Sequence, residues 1–361
     1  MKITILRTDG SDVDQRQYNS QEIGLARGLA NQGHAVDIIT ASDCFETAPI
    51  EVIAEGPNNR IAIIRTGYRR IPVLQYGVLT GLRRLLRAGQ YDLVHVSEEN
   101  NPATTMVAFH CRQLDIPYVI YHGMYVVPSG RARTWYDAFH SRIMARDFLQ
   151  SRGVSEVEVL PVGLDTTRFE TMAESTPDNS MLSGLRPRYS RILLYVGRLE
   201  RRRNPLLLLD IAAAMRDDTA LILVGDGPMR DAVSARIDEL DLENVVMTGP
   251  LGQEELPAVY RQSNAFLLAS DYEIYGMVLL EALYFGVPCV TTKTAGGVDI
   301  IGANHAGTVV DGYCLEEWVE AIHRASRIGE EKNIQKRLRK LVDSEFSWNH
   351  IAKQYLAYVN L

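Results

Sequence analysis

Cysteine is scarce in this chain and scattered. Its four cysteines, Cys44, Cys111, Cys289 and Cys314, form no C-x-x-C pair. Neither a zinc cluster nor a disulfide framework is therefore expected, and a reducing compartment follows. No run approaches the roughly 18 apolar residues that span a bilayer. The apolar core of Met1–Arg7 is too short for a secretory signal, so the expected place is the cytoplasm, or a peripheral position on the inner face of the plasma membrane. Excess positive charge is also missing: the net charge of −7 argues against nucleic acid as a partner. Three catalytic signatures are absent as well. There is no G-x-x-x-x-G-K-[ST] phosphate loop, no G-x-G-x-x-G after the first strand and no G-x-S-x-G elbow. Their absence counts against a P-loop enzyme, a dehydrogenase and a serine hydrolase.

What is present is an alternation of short apolar runs and helical periodicity. The 361 residues are long for one core, and 46% hydrophobic content supplies enough for two. Lys2–Leu6, Ala35–Thr40, Arg60–Arg65, Leu93–Ser97, Tyr118–Tyr121 and Glu156–Leu160 read as strands. Helices are expected over Gln21–Asn31, with Gly33 as a left-handed cap, over Met106–Gln113 and over Arg131–Gly153. Pro161–Asp165 reads as a domain boundary. Beyond it the strands Ile192–Val196, Ala220–Val224, Asn244–Thr248, Ala265–Leu268, Pro288–Thr291 and Gly307–Val310 repeat the pattern, and Ser347–Leu361 reads as a closing helix. The expectation is two tandem β/α/β domains with parallel sheets.

The stretch Tyr68–Gly89 contains no acidic residue and reads as an amphipathic helix from Leu74 onward, ending in Arg83, Arg84 and Arg87. Two readings stay open: a helix packed on the sheet with its arginines in water, or a basic surface touching anionic lipid.

The chain is organised around Asp271–Thr292, DYEIYGMVLLEALYFGVPCVTT. Here a loop carboxylate, Glu273, precedes Gly276, where a missing side chain lets phosphate approach the amides that open a helix. Glu281, on that helix, is suited to accept from two ribose hydroxyls, with Glu273 facing the reacting group. Gly197-Arg198 and Arg201–Arg203 supply fixed positive charge beyond another strand. His122 follows the strand Tyr118–Tyr121, at the edge where open α/β sheets gather ligands; a lone histidine is more often structural. Asp12-Val13-Asp14 forms a D-x-D with no His or Glu near it, so no metal is expected.

Taken in order, these pieces resemble the retaining GT-B glycosyltransferases of family 4. The resemblance is carried by YVGRLERRRNP (195–205), LVGDGPM (223–229), VVMTGPL (245–251), EIYGMVLLEALYFGVPCV (273–290) and AGGVDII (295–301). LARGLANQGHAVDIIT (25–40), YDLVHVS (91–97), YHG (121–123) and VLPVGLDTTRF (159–169) agree with it in the first half. It implies an α/β GT-B fold of two Rossmann-like domains facing across a cleft. Residues 1–162 would be the acceptor side, 163–345 the donor side, and 346–361 a helix returning to the first domain. It also implies a metal-independent transferase that needs no cofactor. The enzyme would move sugar from a nucleoside-diphosphate sugar, UDP- or GDP-linked, to a glycan or lipid-linked acceptor of cell-surface polysaccharide biosynthesis. Membrane contact would run through residues 69–89. Catalytic positions would be Glu273, His122, Arg198 and Arg203. Donor-binding positions would be Glu281, Tyr275, Gly276, Met277, Val278, Gly197, Leu251 and Arg16.

Three departures from the family pattern stand out. Arg203 replaces the usual lysine, Arg16-Gln17 replaces a glycine pair, and the stretch from Gly123 to Arg152 is short. Two alternatives stay open. One is another GT-B enzyme such as an epimerase, or a pyridoxal phosphate phosphorylase, for which Lys293 is the only lysine in Tyr195–Val310. The other is a sugar-nucleotide binder without turnover.

Overall fold

The computed structural model describes residues 1–8, 12–13, 20–42, 50–54, 59–70, 77–97, 102–121, 160–175, 184–273 and 275–359. They divide into two compact units. One holds the described residues up to Tyr121, with Leu160–Asp165 and the tail from Ser347; the other runs from Thr166 to Phe346. Arg16, Asp14, His122, the helix expected at Arg131–Gly153 and most of the strand expected at Glu156–Leu160 lie outside the described residues.

The first unit runs β1 (Lys2–Arg7), α1 (Gln21–Asn31), β2 (Ala35–Ser42), β3 (Glu51–Ala54), β4 (Ile61–Arg70), β5 (Gly77–Leu79), α2 (Leu82–Gly89), β6 (Leu93–Ser97), α3 (Pro102–Leu114) and β7 (Tyr118–Tyr121). Ser20 caps α1 by accepting from the Ile23 amide, and Gly33, at φ 86°, turns the chain after it. Among the described residues the sheet order is β3-β4-β2-β1-β6-β7, with β5 on β4. Strand β3 has no counterpart in the sequence reading; it adds antiparallel to β4 at the sheet edge. On one side of the sheet Leu82 and Leu86 of α2 pack with Ile39, Val94, Val96 and Cys111.

The helix expected from Leu74 onward is a correction. Gly77–Leu79 pairs antiparallel with Tyr68–Arg70, and the helix begins only at Leu82. Gly81, at φ 71°, occupies the left-handed region that a side chain resists, so the chain turns there instead of continuing. Backbone partners on β4 decide the structure of the preceding residues. The short α2 keeps its amphipathic character, with Leu82 and Leu86 buried and Arg83, Arg84 and Arg87 exposed.

The second unit runs α4 (Thr166–Ser175), β8 (Arg191–Val196), α5 (Pro205–Ala214), β9 (Thr219–Val224), α6 (Arg230–Glu239), β10 (Val245–Gly249), α7 (Leu256–Gln262), β11 (Ala265–Leu268), α8 (Met277–Tyr284), β12 (Cys289–Thr292), β13 (Gly307–Val310), α9 (Leu315–Glu330) and α10 (Ile334–Leu341). Its six strands are parallel in the order β10-β9-β8-β11-β12-β13. That is the doubly wound arrangement, and the order reverses between β8 and β11. Strands buried on both faces explain the near-continuous apolar runs, such as TALILV in β9. Tyr195, Ile211, Trp318 and Ile322 anchor the core between this sheet and α5 and α9.

The tail forms α11 (Trp348–Tyr358), capped by Ser347, whose hydroxyl accepts from the His350 amide. It belongs to the first unit and lies on α1: the Trp348 ring fills the space where a side chain on Gly24 would collide. No helix among the described residues is long and apolar enough to cross a membrane.

Candidate functional site

The reversal between β8 and β11 leaves two loops side by side beyond the carboxyl ends of the strands. The loop after β8 is Gly197–Asn204, with a 3-10 turn at Arg201–Arg203. The loop after β11 is Ala269–Gly276, which opens α8. Their backbones are tied together: the Asp271 amide donates to the Arg202 carbonyl at 2.7 Å. Asn204 donates through Nδ2 to the Ala269 carbonyl at 2.8 Å and to Asp271 Oδ1 at 2.6 Å. On the β8 side, the buried Tyr195 hydroxyl donates to the Arg198 carbonyl at 2.7 Å. Burial pushes that phenol well above its usual range, so it stays a neutral donor.

On this frame Arg203 donates through Nη1 to Glu273 Oε2 in a very short contact, and to Ser270 Oγ at 3.0 Å. The pair is only 17% and 14% exposed, so water screens it weakly and the two groups are held as one unit. Arg202 is engaged differently, through Nε to Glu200 Oε1 at 2.8 Å. Arg198 and Arg201 are exposed and have no ion-pair partner among the described residues. The loop therefore presents two exposed guanidiniums, Arg198 and Arg201, and two that are bound to carboxylates, Arg202 and Arg203.

Helix α8 opens at the same place. Gly276 sits at φ 74° and ψ 64°, a left-handed conformation that suits glycine. No side chain caps the helix there. A Cβ on Gly276 would lie 3.1 Å from Glu273 Cγ, so the stem of that carboxylate crosses the helix mouth. Across from it, a side chain on Gly296 would collide with the Tyr275 carbonyl, which fixes the 275–278 backbone against the next loop. Gly297–Gly302 then forms a π-helical turn that the sequence reading had not separated from its motif. Tyr275 and Gly276 are buried, whereas Met277 and Val278 are half-buried at the helix start.

The expected site residues thus divide. The geometry brings Arg203 onto Glu273 beside Gly276 and the start of α8 with Tyr275, Met277 and Val278, while Gly197 and Arg198 lie on the same loop as Arg203. Glu281 is on α8 as expected, but it is fully buried, and its Oε2 accepts from the Tyr260 hydroxyl at 2.9 Å. Tyr260 lies 21 residues away on α7, and no local signal pointed to it. Leu251 follows β10, two strands from the reversal, and no hydrogen bond joins it to the cluster among the described residues. Asp12 is bound by Arg65 Nε, at 2.8 and 3.0 Å to its two oxygens, which is a structural use of that carboxylate. Lys293 pairs with Asp311 at 2.8 Å. Among the described residues no group of three His, Cys, Asp or Glu side chains is placed to hold a metal ion.

Comparison with known proteins gives the same answer from two directions. The family model described as "Glycosyl transferases group 1" matches residues 183–340, and that described as "Glycosyltransferase Family 4" matches residues 23–168. A GDP-mannose-dependent alpha-(1-6)-phosphatidylinositol monomannoside mannosyltransferase of Mycolicibacterium smegmatis is 32% identical over 200 residues, 51% of either chain. A GDP-mannose-dependent alpha-mannosyltransferase of Corynebacterium glutamicum is 25% identical over 285 residues, 72% of this chain and 66% of the relative. The similarity spans about half the length of the first of these curated relatives. Among solved structures, Anabaena HepE in complex with UDP superposes over 100% of both chains with a TM-score of 0.68 at 17% identity. Sucrose-phosphate synthase from Thermosynechococcus elongatus superposes over 99% of this chain and 98% of its own, with a TM-score of 0.66 at 20% identity. At such identities the likeness is one of fold.

Proposed function

The chain belongs to the family 4 glycosyltransferases of GT-B fold, and from that premise we propose that it transfers a hexosyl group, with retention and without metal, from a nucleoside-diphosphate sugar bound at the β8/β11 reversal. The observation that carries the reading is the Arg203–Glu273 pair at the mouth of α8, with the exposed Arg198 on the same loop as Arg203. A departing diphosphate accumulates negative charge as the sugar–oxygen bond breaks. Two guanidiniums and the opening amides of a helix stabilise that charge more in the transition state than in the ground state. The acceptor hydroxyl bonds to the anomeric carbon on the face the diphosphate leaves, and its proton passes to the departing phosphate oxygen. Glu273 faces the sugar, and Arg203 sets the direction of its carboxylate. His122 stands near the anomeric carbon in this reading, and Arg16 supplies further charge to the diphosphate. The hold of Arg65 on Asp12 supports a D-x-D without metal.

Glu281 is assigned to the ribose. In this role the Tyr260 hydroxyl holds one carboxylate oxygen. The names of the two curated relatives favour a GDP-linked mannosyl donor, and that of the Anabaena protein favours UDP as the alternative. The acceptor is a glycan or lipid-linked intermediate of cell-surface polysaccharide. A peripheral site on the inner face of the plasma membrane is consistent with it. Arg69, Arg70, Arg83, Arg84 and Arg87 are all exposed, with no ion-pair partner among the described residues. A thermal-shift screen over GDP-mannose, UDP-glucose and UDP-galactose tests the donor assignment: one nucleotide sugar raises the melting temperature, and a flat response to all three contradicts it.

A further inference from the structure

The loop that carries Glu273 is held from a second side as well. Beyond β11 in the sheet lie β12 and β13, and a hydroxyl reaches the loop from the end of each. Thr292, the last residue of β12, donates through Oγ1 to the Ser270 carbonyl at 2.6 Å. Tyr313, which follows β13, donates through its hydroxyl to Asp271 Oδ1 at 2.8 Å. Two consecutive residues are thereby fastened just ahead of Glu273.

Asp271 Oδ1 is a shared acceptor. Asn204 Nδ2 reaches the same oxygen at 2.6 Å, and the Asp271 amide is committed to the Arg202 carbonyl. The chain segments after β8, β11 and β13 therefore meet on one side chain. Tyr313 reaches out from a firm base. The Val310 carbonyl at the end of β13 accepts from the Lys293 amide at 3.0 Å. Gly312, at φ 117°, turns the chain, and its carbonyl accepts from Nε1 of the fully buried Trp318 at 3.1 Å. Tyr313 itself is 47% exposed, so core packing explains little of its place. Its hydroxyl carries the fixed position of the core to the carboxylate beside the site, and an ionised acceptor makes that bond a strong one. Such a hold matters because a reacting group displaced by about 1 Å can cost about 100-fold in rate.

We propose that Tyr313 is a positioning residue for the transfer reaction: its hydroxyl holds Asp271 and, through it, sets where Glu273 meets the donor sugar. The assignment rests on the glycosyltransferase reading of the site. Tyr313 makes no contact with the donor in this role. Its effect therefore falls on the chemical step and passes entirely through the Asp271 carboxylate.

The test follows nucleotide release by the full chain from GDP-mannose or UDP-glucose, whichever it binds, in wild type and in variants whose melting temperatures show that the fold is kept. Tyr313→Phe, which removes one hydroxyl, lowers kcat about fivefold and leaves the donor KM unchanged. Asp271→Ala lowers kcat further, and Asp271→Asn, which keeps an accepting oxygen, restores part of that loss. Adding Tyr313→Phe to Asp271→Ala changes nothing more, because the hydroxyl acts only through that carboxylate. Unchanged kcat in Tyr313→Phe, a loss that appears only in KM, or losses that multiply in the double variant overturn the proposal. Hydrogen exchange of residues 270–273, read by mass spectrometry without donor, separates this outcome from failure of the glycosyltransferase reading. Tyr313→Phe speeds exchange there and leaves β9 unchanged. Absence of nucleotide release by wild type strikes the donor reading. The hold of Tyr313 on the loop is then decided by exchange: faster exchange in Tyr313→Phe upholds it, and unchanged exchange overturns it.

Discussion

Arg203 and Glu273 stand on the two loops that meet where the second sheet reverses its strand order, and the guanidinium of one donates to the carboxylate of the other. Ser270 shares the same Nη1. Arg203→Ala leaves a half-buried carboxylate without its cation and removes one charge from the diphosphate side. We expect kcat to fall about 100-fold, in the range seen when a transition-state donor is lost. Arg203→Lys keeps the charge but cannot reach two acceptors through one planar group, so it falls between. Steady-state rates with a saturating donor decide this; an alanine variant with unchanged kcat removes Arg203 from the site.

Glu281 and Tyr260 separate a ligand role from a core role. If Glu281 anchors ribose, Glu281→Gln weakens donor binding by about 1–3 kcal/mol in calorimetry. Tyr260→Phe weakens it less, because only the orientation of the carboxylate is lost. A lowered melting temperature with unchanged donor affinity in both variants would make the pair purely structural.

His95 ties the stability of the first unit to pH. Burial lowers its pKa from 6.5 to about 4, so the unfolded chain binds a proton that the folded chain refuses between those values. The contribution is fully present above pH 6.5 and is lost as pH falls toward 4. Its full size is ~3 kcal/mol, from about 1.4 kcal/mol per pKa unit. Urea midpoints of wild type and His95→Gln, measured across this window, are expected to converge as pH falls. Parallel curves would mean that other groups carry the acid sensitivity.

The arginines of α2 offer the membrane test. Flotation with vesicles containing phosphatidylserine should carry the wild-type protein, and phosphatidylcholine vesicles should not. Reversing Arg83, Arg84 and Arg87 to Glu removes about 1 kcal/mol of attraction for each arginine lost, a change of more than about 100-fold in partitioning. Equal flotation on both vesicle types, or none on either, contradicts a basic docking face.

Much of this architecture was legible because parallel strands announce themselves. TALILV and RILLYV are apolar throughout since both faces of those strands are covered. The end of α8 was equally plain, where Gly286-Val287-Pro288 stops the helix before β12. The sequence misled where pairing partners outweighed local preference. Leu79 and Leu82 look like one helical face, but β4 draws Gly77–Leu79 into an antiparallel edge and the helix starts afresh at Leu82. In the site, Glu273, Gly276 and Arg198 could be named from their places after strands. What could not be read were the partnerships: Arg203 and Glu273 are 70 residues apart, and Tyr260 and Glu281 are 21. Neither spacing has a period that marks contact. His95 likewise read only as part of a buried strand, and the hydroxyl of Tyr355 that faces it comes from the other end of the chain.

The central claim is tested most directly by following nucleotide release from the donor selected in the thermal-shift screen, with wild type and Glu273→Gln side by side. The account predicts steady release by wild type. The variant should bind the donor with similar affinity and release nucleotide at about 1/100 of that rate or less, since the loss falls on the transition state. Release by Glu273→Gln at the wild-type rate, or none by wild type from a donor it binds, would contradict it.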